Sequence, residues 1–349
     1  MKLSVLAKPA FRAQFSAVSS CVCLYRNVLK HGIQVIEWNP QRMLFGHYDV
    51  LHLHWPDNVL SEKSSVRAAI KMALLFTGMA FVRAQGRGIV WTSHNLKSHE
   101  QRHPRLERIY WKIFPRLLSA ISCPMHWIAS EVRADSRFQS VRYIEALPFG
   151  SWAGMYPEDV RFTDALRMRL GIEVGSKVAL WFGLVRRYKG LETLIEIFSA
   201  SALSGYILVI AGHCADQSYL TEVKAMISGK ANIRADFGFV DDGRVASYFQ
   251  LASICVFPFA AVTNSGSARL ALTFNRHILV PDFPFATEFR SALGAKWVSC
   301  YPHVEGLSVS AVLAAFQAGE KVNGETLEWG DYDWETTASK TIELYRKIS

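Results

Sequence analysis

The chain has 349 residues, half of them hydrophobic, which exceeds what one core organises and excludes a disordered polymer. Six cysteines occur without a Cys-x-x-Cys pair, which argues for a reducing cytosol and against a disulfide scaffold or a structural zinc site. The formal charge of +9 is confined to one half: residues 1–150 carry 20 Lys and Arg against 9 Asp and Glu, residues 151–349 carry 19 against 21. The basic half has reason to face an anion, whether a membrane surface, a diphosphate lipid or nucleic acid.

In chain order, Lys8 and Pro9 break the first apolar run, so residues 3–7 are expected as a strand and not as part of a signal peptide. A helix over 16–30 and strands over 34–38 and 50–55 follow. Then come a helix over 64–83, a strand over 88–93, a helix over 105–120 and a last short segment at 126–129. Residues 68–82 are apolar but short and interrupted by Lys71, which fits a core helix or one lying in a membrane interface better than a span. Residues 109–118 add aromatic and basic side chains of the same kind.

Domain boundaries are expected at 1–150, a linker at 151–175, a second domain at 176–330 and a terminal helix at 331–349. The linker rests on an irregular stretch holding Gly154, Pro157 and Gly175. In the second half, strands are expected over 178–182, 206–211, 233–239, 254–259, 278–281 and 297–301, with helices between them. Strand–helix alternation implies parallel sheets covered on both faces, with ligands beyond the strands' carboxyl ends.

Two turns carry the chemistry. After the strand ending at Phe182 comes Gly183, then Arg186, Arg187 and Lys189, and Gly190 opens a helix. Glycines permit a tight turn, the cations supply charge, and the helix start adds unpaired N–H groups, so this is a candidate phosphate site. The bland alternative is a loop with solvated basic residues. Asn264, Ser265 and Gly266 stand between a buried strand and a helix, where Asn or Ser caps and Gly lets an anion approach the backbone. Weaker features read as structural. His52 and His54 alternate onto one strand face, but with no nearby Cys and no third ligand at a matching spacing they are expected to pack or hydrogen-bond. Asp331 with Asp333, and Asp241 with Asp242, are expected to cap helices.

The segment 182–190, with Ile210-Ala-Gly212, Asn264-Ser-Gly266 and Val280-Pro-Asp282, resembles the donor half of bacterial GT-B glycosyltransferases. Tyr48 to Asp57 and Thr92 to Glu100 resemble the membrane-associated β-mannosyltransferases of xanthan-type exopolysaccharide assembly. The resemblance implies an α/β fold of two Rossmann-like domains with a cleft between them and a C-terminal helix. It also implies a GDP-mannose donor and a polyprenyl-diphosphate-linked oligosaccharide acceptor. Retaining members carry a Glu-x7-Glu pair around this glycine; here Thr263 and Ala271 stand in those places, and the usual Gly-Arg-Leu opening is absent. Both departures favour inversion and leave the ribose contact to Glu288 as a candidate.

An inverting transfer needs a neutralised leaving group and a base. Gly183, Arg186, Lys189, Asn264, Ser265 and Gly266 are the expected donor site, with no metal and no other cofactor. Asp57 or Glu100, each just past a strand end, is the expected base, and His94 a sugar or phosphate contact. The expected partners are a nucleotide sugar, a lipid-linked acceptor and the anionic inner face of the cell membrane. Nucleic acid is disfavoured because the cations are scattered without a recognisable binding module. A sugar-nucleotide epimerase on the same fold and a non-catalytic lipid- or glycan-binding protein remain open alternatives.

Overall fold

The computed structural model describes residues 3–11, 19–94, 96, 102–303 and 305–349. It divides into two compact units, one reaching to Gly150 and including Asp331–Ser349, the other Ser151–Gly330.

In the first unit the order is β1 (Ser4–Lys8), α1 (Ser20–Lys30), β2 (Gln34–Glu37), α2 (Pro40–Phe45), β3 (Val50–Leu53), α3 (Ser65–Ala84), β4 (Gly88–Thr92), α4 (Pro104–Leu117), β5 (Ala120–Cys123), α5 (His126–Ala134) and β6 (Tyr143–Ala146). The strands form one parallel sheet in the order β2-β1-β3-β4-β5-β6. Every residue of β3 and β4 is buried, as a central parallel strand covered on both faces requires. Residues 120–123 are a strand, where the sequence pattern extends a helix to 120 and assigns nothing to 121–125, and 126–129 open α5. A short buried strand that follows a helix directly gives the same apolar signal as another helical turn, so periodicity could not part them. Helix α3 has the extent expected within one residue at each end: it buries Ala68, Met72, Leu75, Met79 and Val82 and leaves Val66, Ile70, Leu74 and Phe81 exposed.

The second unit runs α6 (Val160–Leu170), β7 (Lys177–Phe182), α7 (Leu191–Phe198), β8 (Tyr206–Ala211), α8 (Gln217–Ile227), β9 (Ile233–Asp236), α9 (Asp242–Leu251), β10 (Ile254–Val256), α10 (Gly266–Thr273), β11 (His277–Pro281), α11 (Pro284–Leu293), β12 (Val298–Tyr301) and α12 (Val309–Lys321). Its parallel sheet has the order β12-β11-β10-β7-β8-β9. Residues 151–175, expected as a linker, fold with this unit. Asp159 caps α6 by accepting the Arg161 N–H, left-handed Gly171 stops the helix, and Arg169 pairs with Asp236. Gly171, inside the stretch that read as irregular, is a helix stop.

The last helix, α13 (Trp334–Arg346), joins the first unit. Asp333 caps it by accepting the Thr336 N–H at 2.8 Å, and Trp334 stacks on Phe149 with ring centres 5.5 Å apart. Asp241 caps α9 through the Gly243 N–H, so both Asp pairs act at helix starts.

Each sheet has one place where strand order reverses direction: between β1 and β3 in the first, and between β7 and β10 in the second. A crevice opens at such a point because the connections leave towards opposite faces.

Candidate active site

The two turns singled out in the second half flank the β7/β10 reversal. Gly183 follows β7 with φ +140°, a value side chains rarely adopt. A Cβ there would stand 2.7 Å from Ser267 Oγ and 2.9 Å from Lys189 Nζ, so the ammonium and the hydroxyl converge on the glycine backbone. Gly190, at φ +66°, packs so closely on Pro258 that a Cβ would overlap its carbonyl, and the Ala260 N–H donates to Tyr188 O at 2.9 Å. These contacts knit the β7 turn to the β10 turn. Burial first, and then the Arg186 guanidinium, push Lys189 down to about 8. Its site already holds more positive charge than it can solvate, and an anion would relieve that.

Ser265 Oγ accepts the Ala268 N–H at 3.1 Å and caps α10, which leaves the open backbone of Gly266 in the first turn. Asn264 Oδ1 is buried without a hydrogen-bond partner among the described residues. Arg187, read as a third cation, is turned away: its two terminal nitrogens bind Glu222 at 2.8 and 2.7 Å. Glu288 lies on α11, after β11, half-buried and one strand beyond the reversal. Ser267 was missed by the sequence reading; only the fold reveals that it stands, like Lys189, against Gly183.

In the first unit, β3 ends beside β1 and delivers His54, Trp55 and Asp57 to the rim. Asp57 is half-buried in the turn after β3, and burial, reinforced by Glu107, raises its carboxyl to about 6. His94 follows β4; its ring stacks on Trp55 with centres 4.1 Å apart, and its Nε2 is 3.1 Å from His54 Nδ1. Glu100 lies outside the described residues.

The histidine pair of β3 is more elaborate than its spacing suggested. His52 is held at both ring nitrogens, by Tyr345 Oη at 2.6 Å and Thr92 Oγ1 at 2.7 Å. His54 meets Tyr25 Oη at 2.7 Å as well as His94. The sequence reading found no cysteine and no third ligand nearby, yet the fold brings Cys21, His54 and His94 together, with ligand-type atoms all within 4.8 Å of one another. Burial pushes the Cys21 thiol up, which keeps it protonated, and hydrogen bonds occupy both nitrogens of His54. Hydrogen bonding therefore accounts for the cluster.

No family model matches the chain. It is 26% identical over 310 residues to the GDP-mannose:glycolipid 4-beta-D-mannosyltransferase of Xanthomonas campestris pv. campestris, covering 88% of this chain and 82% of that protein. Among solved structures it resembles the sucrose-phosphate synthase of Thermosynechococcus elongatus, with TM-score 0.66, 14% identity and coverage of 100% and 99% of the two chains. It also resembles Anabaena HepE in complex with UDP, with TM-score 0.64, 13% identity and full coverage of both chains. The chain has the GT-B fold of these glycosyltransferases.

In this fold the two reversals have distinct surroundings. Cationic residues and a helix start surround the β7/β10 reversal, an arrangement that favours an anion. The β1/β3 reversal presents a half-buried carboxyl and neutral imidazoles instead.

Proposed function

We propose that the chain transfers mannose from GDP-mannose, with inversion, to a hydroxyl of a lipid-linked oligosaccharide carried on a polyprenyl diphosphate, for exopolysaccharide assembly. It would work without a metal, peripherally, on the inner face of the cell membrane. The convergence of Lys189 Nζ and Ser267 on Gly183 at the start of α10 carries this reading. The relatives' name supports the stereochemistry: GDP-mannose holds its sugar in the α configuration, so a β-linked product requires inversion at C1.

Asp57, as carboxylate, takes the proton of the acceptor hydroxyl while that oxygen attacks C1 of the sugar. The bond from C1 to the β-phosphate oxygen breaks, and its electron pair leaves on GDP. Lys189, Arg186 and the first turn of α10 neutralise that charge, so no cation need be recruited.

The test is Lys189→Ala with GDP-mannose as donor and membrane glycolipid extract as acceptor, assayed with EDTA present. Wild-type turnover should persist in EDTA, and the variant should lose about 10²–10³ in kcat, the scale for one lost charge-stabilising donor. Near-normal turnover in the variant would overturn the donor site.

A further inference from the structure

The first unit holds a groove of about 590 Å³ that neither the base nor the donor site uses. Trp38, Met43, Leu44, Val59, Leu75 and Gly78 give it an apolar lining, and Lys8, Lys71 and Glu62 add two cations and one carboxylate. The volume lies within the range of about 300–1,000 Å³ typical of small-ligand sites.

Its position is specific. Lys8 ends β1 at the β1/β3 reversal, opposite Leu53, and its carbonyl accepts the His54 N–H at 3.0 Å. Asn58 and Val59 of the groove follow Asp57 in the same turn. Leu74 lines the groove yet is 68% exposed, in one stripe of α3 with Val66 and Ile70, so the apolar lining continues onto the surface.

The charges are unequal. Lys71 is paired with Glu62, whereas no carboxylate among the described residues pairs with Lys8. The Lys8 ammonium faces the Trp38 ring at 3.8 Å, and burial together with Lys71 lowers its pKa. A half-buried cation with no carboxylate partner among the described residues, at the end of an apolar groove, is suited to an amphiphile whose head is anionic.

We propose that this groove holds the hydrocarbon end of the acceptor, a single-chain lipid bearing phosphate, with the phosphate beside Lys8. It rests on the glycolipid reading of the acceptor given above. Anchoring the chain here would bring the attached sugars to the turn that carries Asp57, and the α3 stripe would let the lipid enter from a bilayer.

The test uses the full chain and calorimetric titration with farnesyl diphosphate, dodecyl phosphate, farnesol and inorganic diphosphate, with GDP-mannose binding measured in parallel. Farnesyl diphosphate should bind at least tenfold more tightly than farnesol or inorganic diphosphate. Lys8→Met and Thr77→Trp, the latter filling the groove from an exposed position, should each weaken it tenfold or more and leave GDP-mannose binding unchanged. Dodecyl phosphate binding as well as farnesyl diphosphate supports a groove for any single chain; weaker binding supports an isoprenoid. If neither lipid binds while GDP-mannose does, or if both variants bind farnesyl diphosphate normally, the groove assignment fails and the transferase reading stands. Inorganic diphosphate binding as tightly as the lipid would also overturn it, leaving only an anion site. If GDP-mannose fails to bind the wild-type chain, the donor reading fails instead.

Discussion

A carboxyl raised to about 6 mainly by burial is ionised at neutral pH yet more basic than an exposed aspartate, which suits a group that must accept a proton. The log of kcat/KM should therefore rise with pH up to about 6 and then level. In Asp57→Asn that limb should vanish, with turnover down by about 10²–10⁴. GDP-mannose binding should be unchanged, since the base acts on the acceptor alone. A limb kept at the same pH by the variant would move the role to Glu100. His94 could not supply it, because burial holds that ring down to about 3 and keeps it neutral throughout. At this scale the sequence was half legible. Asp57, Lys189 and Gly183 stood out by following strand ends, but the burial that tunes Asp57 and the Ser267 contact needed the fold.

The elements of the first unit are held together through β3. Tyr25 of α1 bonds His54, while Tyr345 of α13 bonds His52 from 293 positions away. No local spacing announces such a partner, so the sequence could expect packing or hydrogen bonding for the pair but not name Tyr25 or Tyr345. Burial lowers His52 and His94 to about 3 and His54 well below its ordinary value, so the folded state holds all three neutral. Below pH ~6.5 the unfolded chain gains protons that the folded chain refuses, so stability present above that pH falls as the medium is acidified towards 3. Asp57 acts the other way, since its raised pKa adds stability as pH falls from about 6 towards 4, but it is one group against three. The denaturant midpoint of the first unit's transition should therefore be lower at pH 5 than at pH 7.5. An equal or higher midpoint at pH 5 would mean that the imidazoles take up protons without cost.

Across the whole molecule, the recruitment of α13 redraws the charge map only slightly. The first unit carries 23 Lys and Arg against 13 Asp and Glu, the second 16 against 17. Exposed Ile109 and Ile113 of α4 and the α3 stripe share the first unit with exposed Arg67, Lys71, Arg105, Lys112 and Arg116. Apolar side chains among cations are the composition of an interfacial surface, and each well-placed cation adds about 1 kcal/mol of attraction to an anionic bilayer. The intact protein should bind vesicles containing anionic lipid, bind neutral ones much more weakly, and be partly released by high salt. Ile70→Asp should remove the salt-resistant fraction. Equal binding to neutral and anionic vesicles would contradict the electrostatic part. At this scale the alternation of strands and helices was legible in both halves, apart from α2, β5, β6 and α6. The allegiance of the last helix was not, since an amphipathic face does not say which unit it covers.

That allegiance sets an order of events during synthesis. Between Gly150 and Asp331 the ribosome must produce the whole of the second unit, on the order of ten to forty seconds of translation. For that time the first unit has its sheet strands but lacks α13, so His52 waits for Tyr345 and the Phe149 ring for Trp334. The second unit is continuous in sequence and has every part it needs as soon as it emerges. The part made first is thus completed last, and a basic, unclosed apolar surface is what the nascent chain presents to chaperones and to the bilayer in the meantime.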